Sequence, residues 1–372
     1  MPLMPRGRKH GLLIAGGGVA GSLAALVMAR LRPEVPLLLV GEEASFGGDR
    51  DLLLIDAELA DKERDLLEPL FSHSWDGFYV ALPGRGRKLP LDCHLIQARS
   101  LDEAVRGALS PEGYRLGARI VAVRESGLLL HGGEELNGDG ALDARPAAPS
   151  STLELGWRKT ASRVYAFSAP HRVDLPVAAD ATVPQGDGCR FFSCVPLSER
   201  RLRIEEICYS GTRKIDAVSS ATRIDEYVAM RGWKDGVVEA EEEAAARSLP
   251  LGGDFAAHWR IGGARVARLG ERGGFFHPMT GCPAADAVRA ALLLAQQRDF
   301  RGEALHDLFE GSATALWKKR EFYRGFTRLL IKGAAGCEAL ERLYAGDTET
   351  VAAFHGERLG LLEKRRLSAA GR

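Results

Sequence analysis

The sequence predicts an α/β fold that opens with a Rossmann-like unit, continues with a lobe built on an antiparallel sheet, and ends in a helical region. Three observations support this order. A strand, a glycine-rich turn, a helix and a second strand follow one another near the amino end. Strand-like segments dominate the middle of the chain, and helical periodicity extends from residue 285 onward.

The first unit is a strand, turn, helix and strand in close succession. The apolar segment 12–15 is suited to a buried parallel strand, and three glycines end it. Alanines and leucines favour a helix over 19–31, and an Arg-Pro pair ends that helix. Segment 37–40 supplies the second strand. A β–α–β unit of this kind begins doubly wound sheets.

The rest of the chain divides into a strand-rich part and a helical part. Patterns typical of helices cover residues 101–109, 224–231, 237–247, 285–296 and 305–323. Patterns typical of strands cover 120–123 and 128–130, as a hairpin, and then 164–167, 190–195 and 202–207. We predict a discontinuous FAD/NAD(P)-binding lobe over 1–150 and 255–300, an antiparallel-sheet substrate lobe over 151–254, and a helical region over 301–372.

Composition excludes some classes of function. The 372 residues contain 50 Lys and Arg against 50 Asp and Glu, so no net charge attracts nucleic acid. The six cysteines form no C-x-x-C pair and no cluster with histidine at zinc spacing. We therefore predict free thiols, no metal site, no nucleic-acid partner and a cytoplasmic location.

The amino end also resembles a targeting signal. The basic residues Arg6, Arg8, Lys9 and His10 precede an uncharged run over 11–29, an order typical of signal anchors. We favour the other interpretation, in which this run is the first strand and helix, because its glycines have the spacing of a phosphate-binding turn.

The turn after the first strand matches the pattern G-x-G-x-x-G. Its residues are Gly16, Gly17, Gly18, Val19, Ala20 and Gly21. In this pattern the first glycine permits a tight turn, the second lets the backbone approach a pyrophosphate, and the last lets helix and strand pack closely. The free N–H groups at the helix start meet the phosphate charge. Between a strand and a helix the motif predicts a dinucleotide cofactor, and glycines that serve packing alone are the alternative.

The usual companion of this motif is an acid at the end of the second strand, which binds ribose hydroxyls. Here Gly41 occupies that place and Glu42 follows it. We predict Glu42 as the ribose ligand, although a one-residue slip reverses side-chain direction on a strand. Gly47 and Gly48, after Phe46, resemble the glycine pair of FAD-binding proteins and extend the predicted cofactor site.

Further motifs follow the glycine-rich turn along most of the chain. They are Leu142-Asp143-Ala144-Arg145, Pro170-His171, Asp180-Ala181-Thr182-Val183, Arg201-Leu202-Arg203-Ile204-Glu205-Glu206 and Gly274-Phe275-Phe276-His277-Pro278-Met279-Thr280-Gly281. Together with the glycine motif they resemble the bacterial lycopene β-cyclase family. The resemblance implies an isomerase of the intramolecular-lyase kind that closes the ends of lycopene to β-ionone rings, giving γ-carotene and then β-carotene. It also implies FAD held reduced by NAD(P)H, with no net redox change, and a substrate drawn from the membrane.

The resemblance assigns roles to two neighbouring acids. Protonation of an alkene needs a carboxyl group that burial in an apolar pocket keeps neutral, and the family places this role on Glu205. Glu206 stands where the family usually has Asp. Adjacent strand residues face opposite sides, so we predict a structural or electrostatic role for Glu206. The alternative is that both belong to a charged strand edge.

A second loop is predicted to contact the cofactor. Segment 274–281 is similar to the second flavin-contacting loop of the family, which implies cofactor contacts for His277, Pro278, Thr280 and Gly281. His277 is expected to position this loop; packing is the alternative for a lone histidine.

Several positions depart from the family pattern. The Asn-His-x-Trp stretch of the family is Asp49-Arg50-Asp51-Leu52 here, the glycine after Asp-x-Arg is Pro146, and the tyrosine after the loop glycine is Cys282. These departures keep two alternatives open: an FAD-dependent oxidoreductase or monooxygenase, and an inactive, divergent flavin-binding relative.

One carboxyl-terminal segment combines basic and apolar residues. Its members are Lys318, Lys319, Arg320, Phe322, Arg324, Phe326, Arg328, Leu329 and Leu330. We predict that it contacts anionic lipid, which makes the protein a peripheral membrane protein. A solvated helix packed on its apolar side is the alternative.

Overall fold

The computed structural model describes residues 10–48, 50–147, 150–186, 188–261 and 265–368. Arg6, Arg8 and Lys9 of the basic amino end, and Asp49 of the departing stretch, lie outside these ranges. Within them, no helix is long and apolar enough to cross a membrane.

Strands occur throughout the first two thirds of the chain. In the described ranges they are β1 (His10–Ala15), β2 (Leu37–Val40), β3 (Leu52–Ile55), β4 (Phe71–Trp75), β5 (Phe78–Leu82), β6 (Arg85–Leu89), β7 (Cys93–Ile96), β8 (Tyr114–Arg115), β9 (Ile120–Arg124), β10 (Gly127–Leu130), β11 (Glu135–Asp143), β12 (Leu153–Ala166), β13 (Val177–Asp180), β14 (Arg190–Ser198), β15 (Arg201–Ser210), β16 (Val237–Gly253) and β17 (Ala267–Arg268).

Helices dominate the last third. Those described are α1 (Val19–Leu31), α2 (Asp61–Leu67), α3 (Ala98–Ala108), α4 (Ala217–Met230), α5 (Phe255–Arg260), α6 (Gly270–Gly273), α7 (Ala284–Ala295), α8 (Gly302–Lys319), α9 (Glu321–Leu330), α10 (Ala334–Ala345), α11 (Thr348–His355) and α12 (Leu361–Ser368). Short 3₁₀ turns cover Asp56–Glu58, Glu68–Leu70 and Pro111–Gly113.

The first sheet confirms the Rossmann-type unit. Its strand order is β8-β2-β1-β11-β10-β9, with β17 beside β11. β1 runs parallel to both neighbours, and Ile14 lies opposite Leu39 on one side and Leu142 on the other. All three side chains are fully buried, as expected for a strand covered on both faces. α1 forms the crossover and packs against α3 and α7.

The second sheet carries the antiparallel lobe. Its order is β16-β12-β15-β14-β13-β5-β6, and only β13 and β5 pair in parallel. It therefore includes residues 78–89, which the predicted division assigned to the first lobe. A third sheet has three strands, in the order β3-β7-β4.

The predicted helix over 237–247 is wrong, because this segment is the first part of β16. Alanine and glutamate favour helices as isolated residues. Here the backbone pairs with β12 along most of its length, and the acids meet arginines across the sheet. Glu241 lies directly opposite Arg163 and pairs with it at 3.2 Å, and Glu242 pairs with Arg203 at 3.1 Å. Cross-strand contacts of this kind outweigh local propensity.

The predicted helix over 305–323 is divided in two at Arg320. The guanidinium of Arg320 is buried and binds Asp286 of α7 at 2.6 and 2.9 Å. It also binds Glu357, with a nitrogen–oxygen distance of 2.7 Å. The backbone of Arg320, with φ −90° and ψ 8°, departs from helical geometry, so α8 ends at Lys319 and α9 begins at Glu321.

The lipid-binding interpretation of segment 318–330 does not fit this packing. Phe326 and Leu330 are buried in the core that α9, α10 and α11 form against the second sheet. Arg320 and Arg324 are buried as well. The helix α9 is thus packed on its apolar side, as in the alternative interpretation, and its neighbours include α10 and β16.

Candidate functional site: a nucleotide cleft and an acid-lined cavity

The glycine-rich turn has the geometry that close approach requires. Gly16 has a φ of +113°, and a Cβ there would lie 2.7 Å from the backbone of Ala144. A Cβ on Gly21 would lie 1.9 Å from the carbonyl oxygen of Gly16. Gly18, by contrast, faces open space. The turn therefore packs tightly against the sheet on one side and leaves Gly18 exposed to a ligand on the other.

The start of α1 is an open anion site. Gly18 is its N-cap, no side chain caps the helix, and its first turn holds no acid. The second glycine loop is tied to this turn, because the Gly47 amide donates to the Gly17 carbonyl at 2.8 Å. Free amides and the helix dipole at this end favour a phosphate.

A cleft of about 670 Å³ extends from the turn between the two lobes. Its walls include Gly18, Val19, Ala20, Glu43, Gly47, Gly48, Arg145, Trp157, Arg213, Arg247 and Pro283. Its size, the exposed Gly18 and the uncapped helix fit a dinucleotide such as FAD.

The structure corrects the predicted ribose ligand. Glu42 turns away from the cleft, and its Oε1 accepts a hydrogen bond from the Ile120 amide at 3.0 Å. Glu43 lines the cleft, with Oε2 3.5 Å from where a Cβ on Gly17 would lie. The strand ends at Val40, and the turn that follows rotates the second of the two acids toward the ligand side.

Of the four loop residues predicted to contact the cofactor, one lines a cavity and three build the loop. Thr280 faces the cavity around Glu205. His277 is buried, and its Nδ1 accepts hydrogen bonds from the amides of Met279 and Thr280, each at 3.3 Å. The Pro278 carbonyl accepts from Thr327, and Gly281 has a φ of +67°. Of the described contacts, none places His277, Pro278 or Gly281 in the cleft.

His277 is a neutral positioning residue. Burial, reinforced by the nearby Arg320 cation, lowers the pKa of His277 to about 3. The neutral imidazole can then accept hydrogen bonds from the two amides, which fixes the turn before α7. The expected role in positioning the loop agrees with this geometry, while direct cofactor contact does not.

Glu205 lies in a second cavity, of about 140 Å³, next to the cleft. The two spaces share Arg50, Leu52, Arg247 and Pro283 as wall residues. Arg50 and Leu52, from the stretch that departs from the family pattern, therefore form part of the partition, and Cys282 also lines the cavity. A group bound in the cleft and a group bound in the cavity would be neighbours.

The surroundings of Glu205 differ from the expected apolar pocket. The guanidinium nitrogens of Arg203 and Arg158 lie 3.7 and 3.8 Å from its carboxylate oxygens. Burial alone would raise the pKa of Glu205, but Arg203, Arg158, Arg50 and Arg247 outweigh it and hold this pKa below its ordinary value. Glu205 is consequently an ionised carboxylate, which corrects the prediction of a neutral acid at this residue.

Glu206 faces the other side of the sheet, as the strand period requires. It is buried against Arg223, whose Nη2 lies 2.9 Å from Oε2, and Arg190, whose Nε lies 3.1 Å from Oε1. These contacts hold α4 to the sheet, so Glu206 serves the structure of the lobe.

Several residues of the cavity were missed by the sequence analysis. Arg203 carried a usable signal, since it lies two residues before Glu205 and shares its face of the strand. The sequence around Arg158, Arg247 and Tyr344 gave no sign that they line the cavity, because they reach it from distant parts of the chain.

Comparisons with known proteins agree with this architecture. The sequence model of the lycopene cyclase protein family matches residues 11–370. The chain is 29% identical over 361 residues to a lycopene beta-cyclase of Pseudescherichia vulneris, which spans 96% of this chain and 92% of that protein. It is 27% identical over 361 residues to a lycopene beta-cyclase of Pantoea ananas, spanning 96% and 94% of the two chains.

Solved structures share the fold at low sequence identity. A geranylgeranyl bacteriochlorophyll reductase-like protein from Thermoplasma acidophilum matches with a TM-score of 0.58 and 12% identity, covering 98% of this chain and 96% of that one. A p-nitrophenol 4-monooxygenase from Pseudomonas putida matches with a TM-score of 0.61 and 15% identity, covering 95% and 99%.

Proposed function

Since this chain belongs to the lycopene cyclase family, we propose that it closes the ends of lycopene to β-ionone rings, giving γ-carotene and then β-carotene. The observation that carries the proposal is a cavity holding a buried carboxylate, Glu205, directly beside a cleft shaped for a dinucleotide. The reaction is an isomerisation, so electrons and atoms balance without an oxidant.

The chemistry needs a proton donor and a proton acceptor. A proton added to the terminal alkene gives a tertiary cation, a second alkene attacks that cation, and the ring then loses a proton. Glu205 faces the cavity and takes part in these transfers in the proposed mechanism. The apolar part of the wall, which includes Phe191, Ile207, Met279 and Leu340, suits a hydrocarbon.

The cofactor in this proposal is FAD, reduced by NAD(P)H. Gly18, Val19 and Ala20 would hold its pyrophosphate, and Glu43 would bind ribose hydroxyls. When bound, a reduced flavin supplies negative charge that stabilises a neighbouring cation. Pro283 is the N-cap of α7 and lines both the cleft and the cavity. No side chain caps this end of α7, so the helix amino end faces the space where the negative charge would lie.

Glu43 and Glu42 make a matched pair for testing the cofactor site. We expect Glu43→Ala to weaken FAD binding about tenfold, or about 1.4 kcal/mol, because hydrogen bonds between a charged group and the ribose are lost. Glu42→Ala should leave the FAD dissociation constant unchanged. Fluorescence titration of the apoprotein with FAD measures both, and the reverse ranking would restore Glu42 as the ligand.

We further propose that the protein binds peripherally to anionic membranes through α12. Leu361 and Leu362 are 79% and 69% exposed, and Arg365 and Arg366 beside them are exposed too. α12 packs against α10, which contributes Leu340 and Tyr344 to the cavity. Apolar side chains flanked by cations suit a lipid surface.

Liposome flotation tests this contact. The double substitution Leu361→Asp and Leu362→Asp should reduce binding to anionic vesicles several-fold. Val218→Asp, at an equally exposed position on α4, is the control and should float as the unchanged protein does. Equal flotation of all three would exclude α12 as the contact.

The function itself is tested by the pigments of lycopene-accumulating bacteria that express this chain. Conversion of lycopene to γ-carotene or β-carotene supports the proposal. Unchanged lycopene beside a purified protein that carries FAD would indicate a flavin-binding relative without cyclase activity. Oxygen consumption coupled to NAD(P)H oxidation, without ring products, would instead indicate an oxidoreductase.

A further inference from the structure

Glu58 shares the cavity of Glu205 but lies in different surroundings. It ends the 3₁₀ turn Asp56–Glu58 after β3, and it is 5% exposed. The same cavity is lined by Glu58 and Glu205, together with apolar residues such as Ile55 and Met279. Two buried carboxyl groups thus border one small space: Glu58 comes from the turn after β3, and Glu205 comes from strand β15 of the second sheet.

No cation neutralises the Glu58 carboxyl group. Among the described residues, none of the arginines or lysines comes within ion-pairing distance of it, and its Oε1 accepts only the Ile55 amide, at 3.4 Å. The nearest guanidinium, that of Arg289, binds the Glu58 backbone carbonyl and the carboxylates of Glu63 and Asp286 instead. A carboxyl group buried in this way favours its neutral form.

Of the charged groups near Glu58, the Arg289 cation opposes this state and two acids favour it. Asp286 and Glu357 are held by Arg320, and as anions they add to the preference of Glu58 for its proton. His277 and His355 are buried and neutral, each with a pKa lowered to about 3, first of all by burial. Burial likewise raises the pKa of Glu58 to about 8, with Arg289 opposing it.

The charged groups around Glu205 act in the opposite sense. Arg203 reaches it from β15, Arg158 from β12, Arg247 from β16 and Arg50 from the segment before β3. The acids near this cluster include Asp51 and Glu242, which act on Arg203, and Glu271, which pairs with Arg247 at 3.5 Å. The cavity therefore has a neutral acid at one end and an ionised carboxylate at the other, an arrangement that separates proton donor from proton acceptor.

We propose that Glu58 is the acid that protonates the terminal alkene and that Glu205 is the carboxylate that accepts the proton lost from the ring. The inference rests on the proposed cyclase function and adds a catalytic residue to it. The oxygen–hydrogen bond of Glu58 breaks as a carbon–hydrogen bond forms. After ring closure, a carbon–hydrogen bond breaks and Glu205 gains the proton. Exchange with solvent returns Glu58 to its acid form and Glu205 to its anion.

The pH dependence follows from these two states. Turnover requires Glu58 protonated, so it falls as pH rises through about 8. Turnover also requires Glu205 ionised, so it falls in acid only below the ordinary glutamate range, because the arginines lower the pKa of Glu205. A bell-shaped profile with an alkaline limb that belongs to Glu58 is expected.

Infrared spectroscopy and product analysis test the proposal independently. The holoprotein should show a protonated-carboxyl band at neutral pH that disappears as pH passes about 8 and is missing in Glu58→Gln. In lycopene-accumulating cells, Glu58→Gln should form rings at least 100-fold more slowly, as loss of a general acid predicts. Glu63→Gln is the matched control, since Glu63 is equally buried and binds the same Arg289 but does not line the cavity.

Each outcome decides a separate point. A carboxyl band that persists in Glu58→Gln, or wild-type ring formation by that variant with FAD bound, overturns the assignment. Loss of activity in Glu63→Gln as well would show that the Arg289 network, rather than proton transfer by Glu58, was disturbed, and this too would overturn it. If the unchanged protein forms no rings, the cyclase function fails, whereas the band by itself still shows whether Glu58 is the protonated group.

Discussion

Replacing Glu205 with glutamine is expected to abolish ring formation from lycopene. Glutamine has nearly the same shape but cannot take up a proton at neutral pH, so the cation formed in the cavity cannot lose its ring proton to it. The substitution also removes the negative charge beside Arg203 and Arg158, so the cavity becomes more positive around that cation. Both effects slow the reaction, and loss of a general base typically costs 100-fold or more.

Pigment analysis of lycopene-accumulating bacteria measures this effect. The control is Glu239→Gln, an exposed acid of the same sheet that pairs with Arg201 and lies away from the cavity. Both variants should bind FAD as the unchanged protein does. β-Carotene formation by Glu205→Gln at an undiminished rate would remove Glu205 from the mechanism.

Replacing Arg320 with methionine is expected to destabilise the fold by about 3–5 kcal/mol. Arg320 is 4% exposed and binds Asp286, Glu357 and the Phe276 carbonyl, thereby joining α7, the loop after α11 and the loop that precedes α7. The substitution would remove the cation that binds the buried Glu357 and would leave Asp286 with Arg289 in place of two arginines. Because α7 begins at the wall shared by cleft and cavity, weaker FAD retention should accompany the loss.

Chemical denaturation monitored by tryptophan fluorescence measures the free energy of unfolding. Arg301→Met is the control, because the Arg301–Asp299 pair is on the surface and should contribute little. The pKa of Asp286 is lowered because Arg320 and Arg289 outweigh burial. Its contribution is therefore present above the ordinary aspartate pKa and is lost as pH falls through the lower, folded value. Arg320→Met should reduce this acid sensitivity, and equal stability of the two variants would contradict the role of Arg320.

The sequence was sufficient for the features that depend on local pattern. The run from β1 to β2 could be predicted because a buried parallel strand is continuously apolar. Each glycine of G-x-G-x-x-G also meets a distinct steric requirement of the turn between strand and helix. The hairpin of β9 and β10 and the strands β14 and β15 were predictable in the same way. The ordered motifs along the chain indicated the family, and the family match over residues 11–370 confirms it.

Only the tertiary structure decided the features that depend on neighbours distant in the chain. β16 is a strand because β12 pairs with it, although its own composition favours a helix. Glu43 rather than Glu42 lines the cleft because the turn after β2 rotates the side chains. The pKa of Glu205 is lowered because arginines from β12, β15 and β16 meet around it, whereas burial raises the pKa of Glu58 to about 8.

The difference has one physical cause. Backbone conformation over a few residues follows from side-chain size, branching and glycine content, which a short stretch of sequence contains. The protonation state of a buried carboxyl group follows from the solvent it loses and the charges within a few ångströms. Those charges come from residues far along the chain, as Arg50 and Arg247 do, which lie 155 positions before Glu205 and 42 positions after it. The sequence alone therefore determined the scaffold and the family of this protein, whereas the fold determined which of its acids can give a proton and which can take one.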